Sequence, residues 1–254
     1  MTDFAVDGWS LDILQQGYPG KSPAHGGLGW CTVVLLRGHG RVAVLDTGGF
    51  GGRKPLLSAL ARHGLAPADV TDLLLSHLHY DHIVNFPMFT QARIAVGAQE
   101  LAWARDEPPG VTPVAECCVE ALQRRGGLRL LEDGETVLPD IAAHLTPGHT
   151  PGHLMFVVEG AERDLLLVQD AAKYRCEMIT RSADMTYDQV VTHRTIEQIW
   201  SVWRRKPGSV LLPGHDLPLV LEAGEPAYRG QRRAGIEAFF GTSMDDRTAF
   251  DLTQ

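Results

Sequence analysis

The sequence predicts an α/β fold whose strand ends carry a polar site at one edge. Three observations lead there. Short apolar runs of strand character come before longer segments of helical periodicity, and they do so twice over. Histidine and aspartate recur directly after apolar strands. No composition shift, low-complexity tract or short repeat divides the 254 residues, so one domain spanning 1–254 is expected.

The elements follow in order. WCTVVLLR (30–37) and RVAVLDTGG (41–49) read as two strands joined at GHG, a hairpin. RKPLLSALARHG (53–64) reads as a helix with Leu56, Leu57 and Leu60 on its apolar face and Gly64 as its stop. TDLLLS (71–76) is a buried strand. ARIAVG (92–97) is a strand, followed by helices over AQELAWAR (98–105) and AECCVEALQRRG (115–126). AAHLTPGHTPGH (142–153) ends a strand in a Gly/Pro turn, and LMFVVEG (154–160) and DLLLVQD (164–170) are two more strands. Asp188 is a natural N-cap for a long helix whose Ile196, Ile199, Trp200 and Trp203 fall at i, i+3, i+4 and i+7. GSVLLPGHD (208–216) is a last strand with a histidine in its turn. The tail past Gly224 is expected to be helical in part, over YRGQRRAGIEAFFG (228–241).

Composition narrows the function classes. The chain is 44% hydrophobic and 21% charged, ordinary for a globular protein with a sizeable core. With 23 Lys+Arg against 31 Asp+Glu its formal charge is −8, which disfavours nucleic acid as a partner. No apolar run approaches the length of a membrane span, and the start lacks the pattern of a signal peptide. The expected partner is a small-molecule substrate, the expected compartment the cytoplasm; a homodimer is left open. Cys31, Cys117, Cys118 and Cys176 form no C-x-x-C pair and read as buried free thiols.

The stretch His77-Leu78-His79-Tyr80-Asp81-His82 places four metal-ligand side chains in six positions. In extended chain, residues two apart point the same way, so His77 and His79 can converge on one ion while Leu78 packs. On a helix the pair would diverge by about 200°. Asp81 and His82 follow where the chain must turn and can serve a second ion. Further ligands should lie in similar turns. His149, Asp170 and His215 are each the first strong ligand type after a strand.

These segments bring the chain to a known family. It resembles the metallo-β-lactamase-fold hydrolases in SHLHYDH (76–82), LTPGHTPGH (145–153), VQDAAKY (168–174) and LLPGHD (211–216). The motifs stand in the family's order, with VLDTGG (44–49) upstream. The resemblance covers roughly residues 11 to 220. It implies an αββα sandwich of two β-α halves with the metals at one edge. It further implies that His77, His79 and His149 hold one metal, that Asp81, His82 and His215 hold a second, and that Asp170 bridges both. The segment IVNFPMF (83–89) replaces the two glycines that many members carry after the Asp-His pair, which weakens any transfer of glyoxalase-type contacts. Asp170 stands where true metallo-β-lactamases carry Cys or Ser. SHLHYDH looks most like the quorum-quenching and other lactonases. Those enzymes carry a substrate-contacting Tyr after the bridging Asp; Tyr174 lies one residue further on.

The implied reaction is hydrolysis of a lactone or related small carboxylic ester by a hydroxide shared between two divalent ions. The nitrogen and oxygen ligands suit zinc, and also iron, manganese or cobalt. Asp81 is placed to move a proton and Tyr174 to donate to the developing oxyanion. The alternatives on the same site are a phosphodiesterase or nuclease and a thioesterase; one-metal persulfide chemistry and a sensor without turnover fit the full ligand set less well. The Gly/Pro-rich segment 15–30 reads as a lid or binding wall, too irregular for a strand. It offers Tyr18 and Trp30, with Phe86, Met88 and Phe89 opposite, as an apolar cleft. His153 is a candidate buttress for a ligand. Lys173 reads as a solvated or structural lysine, and His25, His39, His63 and His193 as surface or loop residues.

Overall fold

Alternation along the strands sorts the apolar side chains into three layers of core. The structure, a computed structural model, describes residues 3–22, 24 and 26–253; the expectation for His25 lies outside them. The first half contains β1 (Phe4–Val6), β2 (Trp9–Gln15), β3 (Lys21–Ser22), β4 (Gly26–Gly27), β5 (Val33–Gly38) and β6 (Arg41–Leu45). Then come α1 (Arg53–Arg62), β7 (Asp72–Leu74), α2 (Tyr80–Ile83), β8 (Arg93–Gly97), α3 (Ala98–Asp106), α4 (Glu116–Arg125) and β9 (Arg129–Leu131). Seven of these strands form one sheet in the order β1-β2-β5-β6-β7-β8-β9. The second half contains β10 (Thr136–Leu138), β11 (Ile141–Leu145), β12 (Leu154–Val158), β13 (Leu165–Gln169), α5 (Arg175–Thr180) and α6 (Gln189–Trp203). It continues with β14 (Val210–Pro213), β15 (Leu219–Glu222), β16 (Glu225–Tyr228), β17 (Gly235–Ala238) and β18 (Thr248–Asp251). Strands β10 to β16 make the second sheet in sequence order.

On β5, Val34 and Leu36 pack in the cluster that also holds Leu154, Phe156 and Val158 of β12, so these faces meet between the sheets. Val33 and Leu35 point the other way, into a cluster with Leu56 and Leu60 of α1 and Val119 and Leu122 of α4. On β12, Met155 and Val157 likewise pack outward against Ile196, Ile199 and Trp203 of α6. Helices therefore cover both outer faces, an αββα sandwich. Asp188 caps α6 as its sequence suggested, accepting from the Val190 and Val191 amides. The hairpin between β5 and β6 turns through His39 and Gly40, both at positive φ, which matches the strand twist.

Topology puts the site at one edge. β6 and β7 run parallel, and so do β13 and β14, so the turns after each pair leave at the same end. The sheets are stitched there: the Leu154 amide donates to Ser76 O, and Thr32 donates from its amide to Gly214 O and from its hydroxyl to Pro213 O.

Three expectations about the elements and the thiols need correction. The tail is extended, not helical: β16 pairs with β15, and β17 pairs with β18. Pro226, Gly230, Gly235 and Gly241 interrupt any helical run, and Ile236, Phe239 and Phe240 stay exposed, so no core contact supports a helix there. The 15–30 segment has strand character: Tyr18 and Trp30 pair through their backbones, and β3 pairs with β4. The cysteines divide. Cys31 and Cys118 are buried, whereas Cys117 and Cys176 are exposed. Burial raises Cys31 to about 11 and, with its neighbour Cys117, Cys118 to about 12. At pH 8 a thiol-specific disulfide reagent is therefore expected to label Cys117 and Cys176 in the folded protein and to leave the other two until denaturant is added. Fast labelling of Cys31 would contradict the packing around it.

Among the described residues no helix is long and apolar enough to cross a membrane.

Candidate metal centre

Four turns supply the polar groups. After β7 the chain stays extended through His77 and His79, and Leu78 between them is fully buried in the apolar cluster. The two imidazoles converge, with ring centres 4.6 Å apart. Tyr80 opens α2, whose single turn swings Asp81 and His82 to the other side of the site. The turn between β11 and β12 brings His149. The turn after β13 brings Asp170, preceded by Gln169 at φ 44, and the turn after β14 brings His215. Gly214 is required by close approach: a Cβ there would collide with Asp170 Oδ1.

The seven residues form three interlocking groups: His77, His79 and His149; Asp81, His82 and His215; and His77, His82 and Asp170. Within each group the potential ligand atoms lie within 4.8 Å of one another. His149 Nε2 faces His79 Nδ1 at 3.0 Å and Asp170 Oδ2 at 3.2 Å. Asp170 Oδ1 is 3.4 Å from Nε2 of both His82 and His215, and Asp81 Oδ2 is 3.3 Å from His215 Nε2.

Outer groups fix the imidazoles. Asp46, fully buried at φ 56 after β6, accepts from the Ser76 amide and hydroxyl and lies 2.7 Å from His82 Nδ1. Ser76 Oγ meets His77 Nδ1 at 3.0 Å, and His149 Nδ1 meets Met185 O at 3.1 Å. Each of these rings therefore turns Nε2 inward. His77 Nε2, His82 Nε2 and Asp170 Oδ1 are buried with no hydrogen-bond partner among the described residues. Orphaned buried polar atoms are costly, and a cation among them would satisfy all three. The residues present thus fit a metal.

Electrostatics divide the site. Burial holds His77 and His149 well below the usual imidazole range and His79 at about 4, leaving neutral rings with lone pairs to offer. Burial also opposes charge on His215, but Asp170 and Asp81 outweigh it and raise the ring to about 9. Burial opposes charge on His82 too, but Cys31 and then Asp170, Asp81 and Asp46 raise it well above the usual imidazole range. His153 is buried beside His77, ring centres 5.0 Å apart, with Nδ1 2.8 Å from Thr146 Oγ1, but it belongs to none of the three groups.

Above these groups lies a cavity of about 240 Å³. Tyr18 and Tyr174 line it; the Tyr174 ring centre is 6.4 Å from that of His215. Trp30 stacks behind Tyr18 at 4.8 Å and lines an adjoining groove that shares Tyr80 and Asp81 with the cavity. Lys173 also lines the cavity; it is buried, not solvated, and its Nζ lies 3.1 Å from Glu177 Oε1.

Phe86 and Phe89, expected in the wall, are 3% and 0% exposed and pack in the core, with Met88 partly buried against the same cluster. The cause is Asn85. Its side-chain Nδ2 donates to the carbonyls of Thr47, Gly48 and Gly49 and holds the segment onto the turn after β6, away from the cavity. The aromatic wall comes instead from Tyr80, Trp103 and Tyr187, which the sequence reading did not assign to it. Tyr80 lay inside the histidine motif; Trp103 and Tyr187 carried no local signal.

The family described as the metallo-beta-lactamase superfamily matches residues 26–215. Metallo-beta-lactamase domain-containing protein 1 of Rattus norvegicus is 30% identical over 213 residues, 83% of this chain and 73% of that protein. The N-acyl homoserine lactonase of Bacillus cereus is 26% identical over 166 residues, 64% of this chain and 62% of that protein. Among solved structures, AidC, a dizinc quorum-quenching lactonase in complex with a product, superposes with a TM-score of 0.73 at 17% identity, covering 89% of this chain and 96% of that one. The family match over most of the chain, the relative at 30% identity and the sandwich with its His/Asp edge agree: this chain belongs to the metallo-beta-lactamase superfamily.

Proposed function

We propose that this chain is a metal-dependent hydrolase that opens a lactone or a related small carboxylic ester, using two divalent ions, zinc first among them. The observation that carries the reading is the interlocked His/Asp set lying at the floor of an aromatic-walled cavity. His77, His79 and His149 would hold one ion, Asp81, His82 and His215 the other, and Asp170 would serve both. The nitrogen and oxygen donors suit zinc, and also iron, manganese or cobalt. When bound, such ions polarise a carbonyl oxygen and lower the pKa of water towards neutrality.

The chain's own groups do the rest. Burial, then Glu177 and Asp170, raise the Tyr174 hydroxyl above its usual range, so it stays protonated and can donate to a carbonyl oxygen that gains charge. Asp81, at the cavity floor, takes the proton of the attacking water and returns it to the departing alkoxide. Tyr18, Trp103 and Tyr187 seat the apolar part of a small organic substrate. The net charge of −8 opposes a polyanionic substrate. The relatives named as N-acyl homoserine lactonases support an ester ring as the bond broken.

The test is kcat/KM of zinc-loaded protein on a lactone, a glutathione thioester, a β-lactam and an activated phosphodiester. The lactone should lead each of the others by tenfold or more, about 1.4 kcal/mol of transition-state binding. A tenfold preference for the phosphodiester would replace this reading by a nuclease, and one for the thioester by a thioesterase.

A further inference from the structure

Glu100 is a carboxylic acid with no exposed surface, in the first turn of α3. A buried carboxyl is costly unless donors satisfy it. Here they come from two places far apart in sequence. Its Oε1 accepts from the Leu78 amide at 2.9 Å. Its Oε2 accepts from the Thr150 hydroxyl at 2.7 Å and the Gly152 amide at 3.2 Å. Leu78 lies between His77 and His79, in the turn after β7 of the first sheet. Thr150 and Gly152 follow His149, in the turn between β11 and β12 of the second. The approach is too close for a side chain at Gly152, where a Cβ would collide with the Glu100 backbone. One carboxyl therefore spans the two turns that carry the first histidine group.

The second group hangs on anchors that Glu100 does not touch, although one of them, Asp46, also reaches His77 through Ser76. His82 is held by Asp46. The turn of His215 is held through Asp216, which accepts from the Arg175 amide, the Tyr228 hydroxyl and Arg232. None of these contacts involves Glu100.

We infer that Glu100 is a positioning residue for the metal site: it ties the His77/His79 turn to the His149 turn and so sets the separation of those three imidazoles. The role rests on the metal-centre reading above. Glutamine matches the shape of Glu100 but offers one acceptor oxygen to three donors. Thr150→Val removes one donor and leaves Glu100 in place.

The experiment titrates zinc-free wild type, Glu100→Gln and Thr150→Val with Zn²⁺ against a chromophoric chelator. The imidazole resonances of His149 and His215 report which group fills, and hydrogen exchange at the Leu78 and Gly152 amides is measured on the zinc-free proteins. In Glu100→Gln the His149 group should bind zinc about tenfold to a hundredfold more weakly, with the His215 group within about twofold of wild type. Thr150→Val should show a smaller loss at the same group, and the Leu78 and Gly152 amides should exchange faster in Glu100→Gln without metal. Unchanged amide exchange, unchanged zinc affinity or equal weakening at both groups overturns the proposal. If Glu100→Gln does not fold, Thr150→Val decides by the same criteria. A wild type that binds no zinc overturns the metal-centre reading and this role with it; a wild type that binds two while Glu100→Gln binds both equally well overturns the role of Glu100 alone.

Discussion

Asp170→Ala is expected to lower kcat/KM on the best substrate by at least about a hundredfold, ~2.7 kcal/mol of transition-state stabilisation, while the protein still folds. Asp170 stands within 3.4 Å of His82, His149 and His215, so its carboxylate is shared between the two outer histidine groups. Removing it deprives both proposed ions of a common ligand. The fold should survive because the strand before it, β13, keeps Leu165, Leu166, Leu167 and Val168 fully buried. Steady-state kinetics beside circular dichroism and a thermal melt separate the two outcomes. Turnover near the native rate would refute the shared role, and loss of the cooperative melt would show that Asp170 is structural.

Trp203→Ala should do the reverse. Its side chain is fully buried between α6 and the second sheet, its ring lies 5.4 Å from Trp200, and its Nε1 donates to Ser209 O at 3.0 Å. Truncation of a buried tryptophan costs about 3–5 kcal/mol, part from lost burial and part from the cavity left behind. Urea denaturation should show that loss, whereas kcat of the remaining folded fraction should match wild type, because Trp203 neither lines the cavity nor belongs to the His/Asp groups. A loss under about 1 kcal/mol would contradict the packing described for α6.

Much of this was legible in the chain because its signals are local. The H-x-H spacing requires extended backbone, and the apolar Leu78 between the histidines shows which side faces the core. Asp170 and His215 follow apolar runs, and parallel pairing of β13 with β14 then delivers both to one edge. The Asp188 cap and the stripe of α6 were equally local. What stayed hidden depends on distant partners. Phe86 and Phe89 look like cleft residues until Asn85 is seen reaching back 36 to 38 residues to the Thr47–Gly49 carbonyls. Glu100 reads as an ordinary helical glutamate, since its donors lie 22, 50 and 52 residues away. The tail misled for the opposite reason. YRGQRRAGIEAFFG offers some apolar periodicity, but no core face is left for it to bury, so it pairs as strands.

The proposed chemistry needs two metal ions in this site. Anomalous scattering from crystals of the zinc-loaded protein tests it most directly. Two peaks are expected, one bounded by His77, His79 and His149 and one by Asp81, His82 and His215, with Asp170 in contact with both. A single peak, with Asp81, His82 and His215 free of metal, would contradict it.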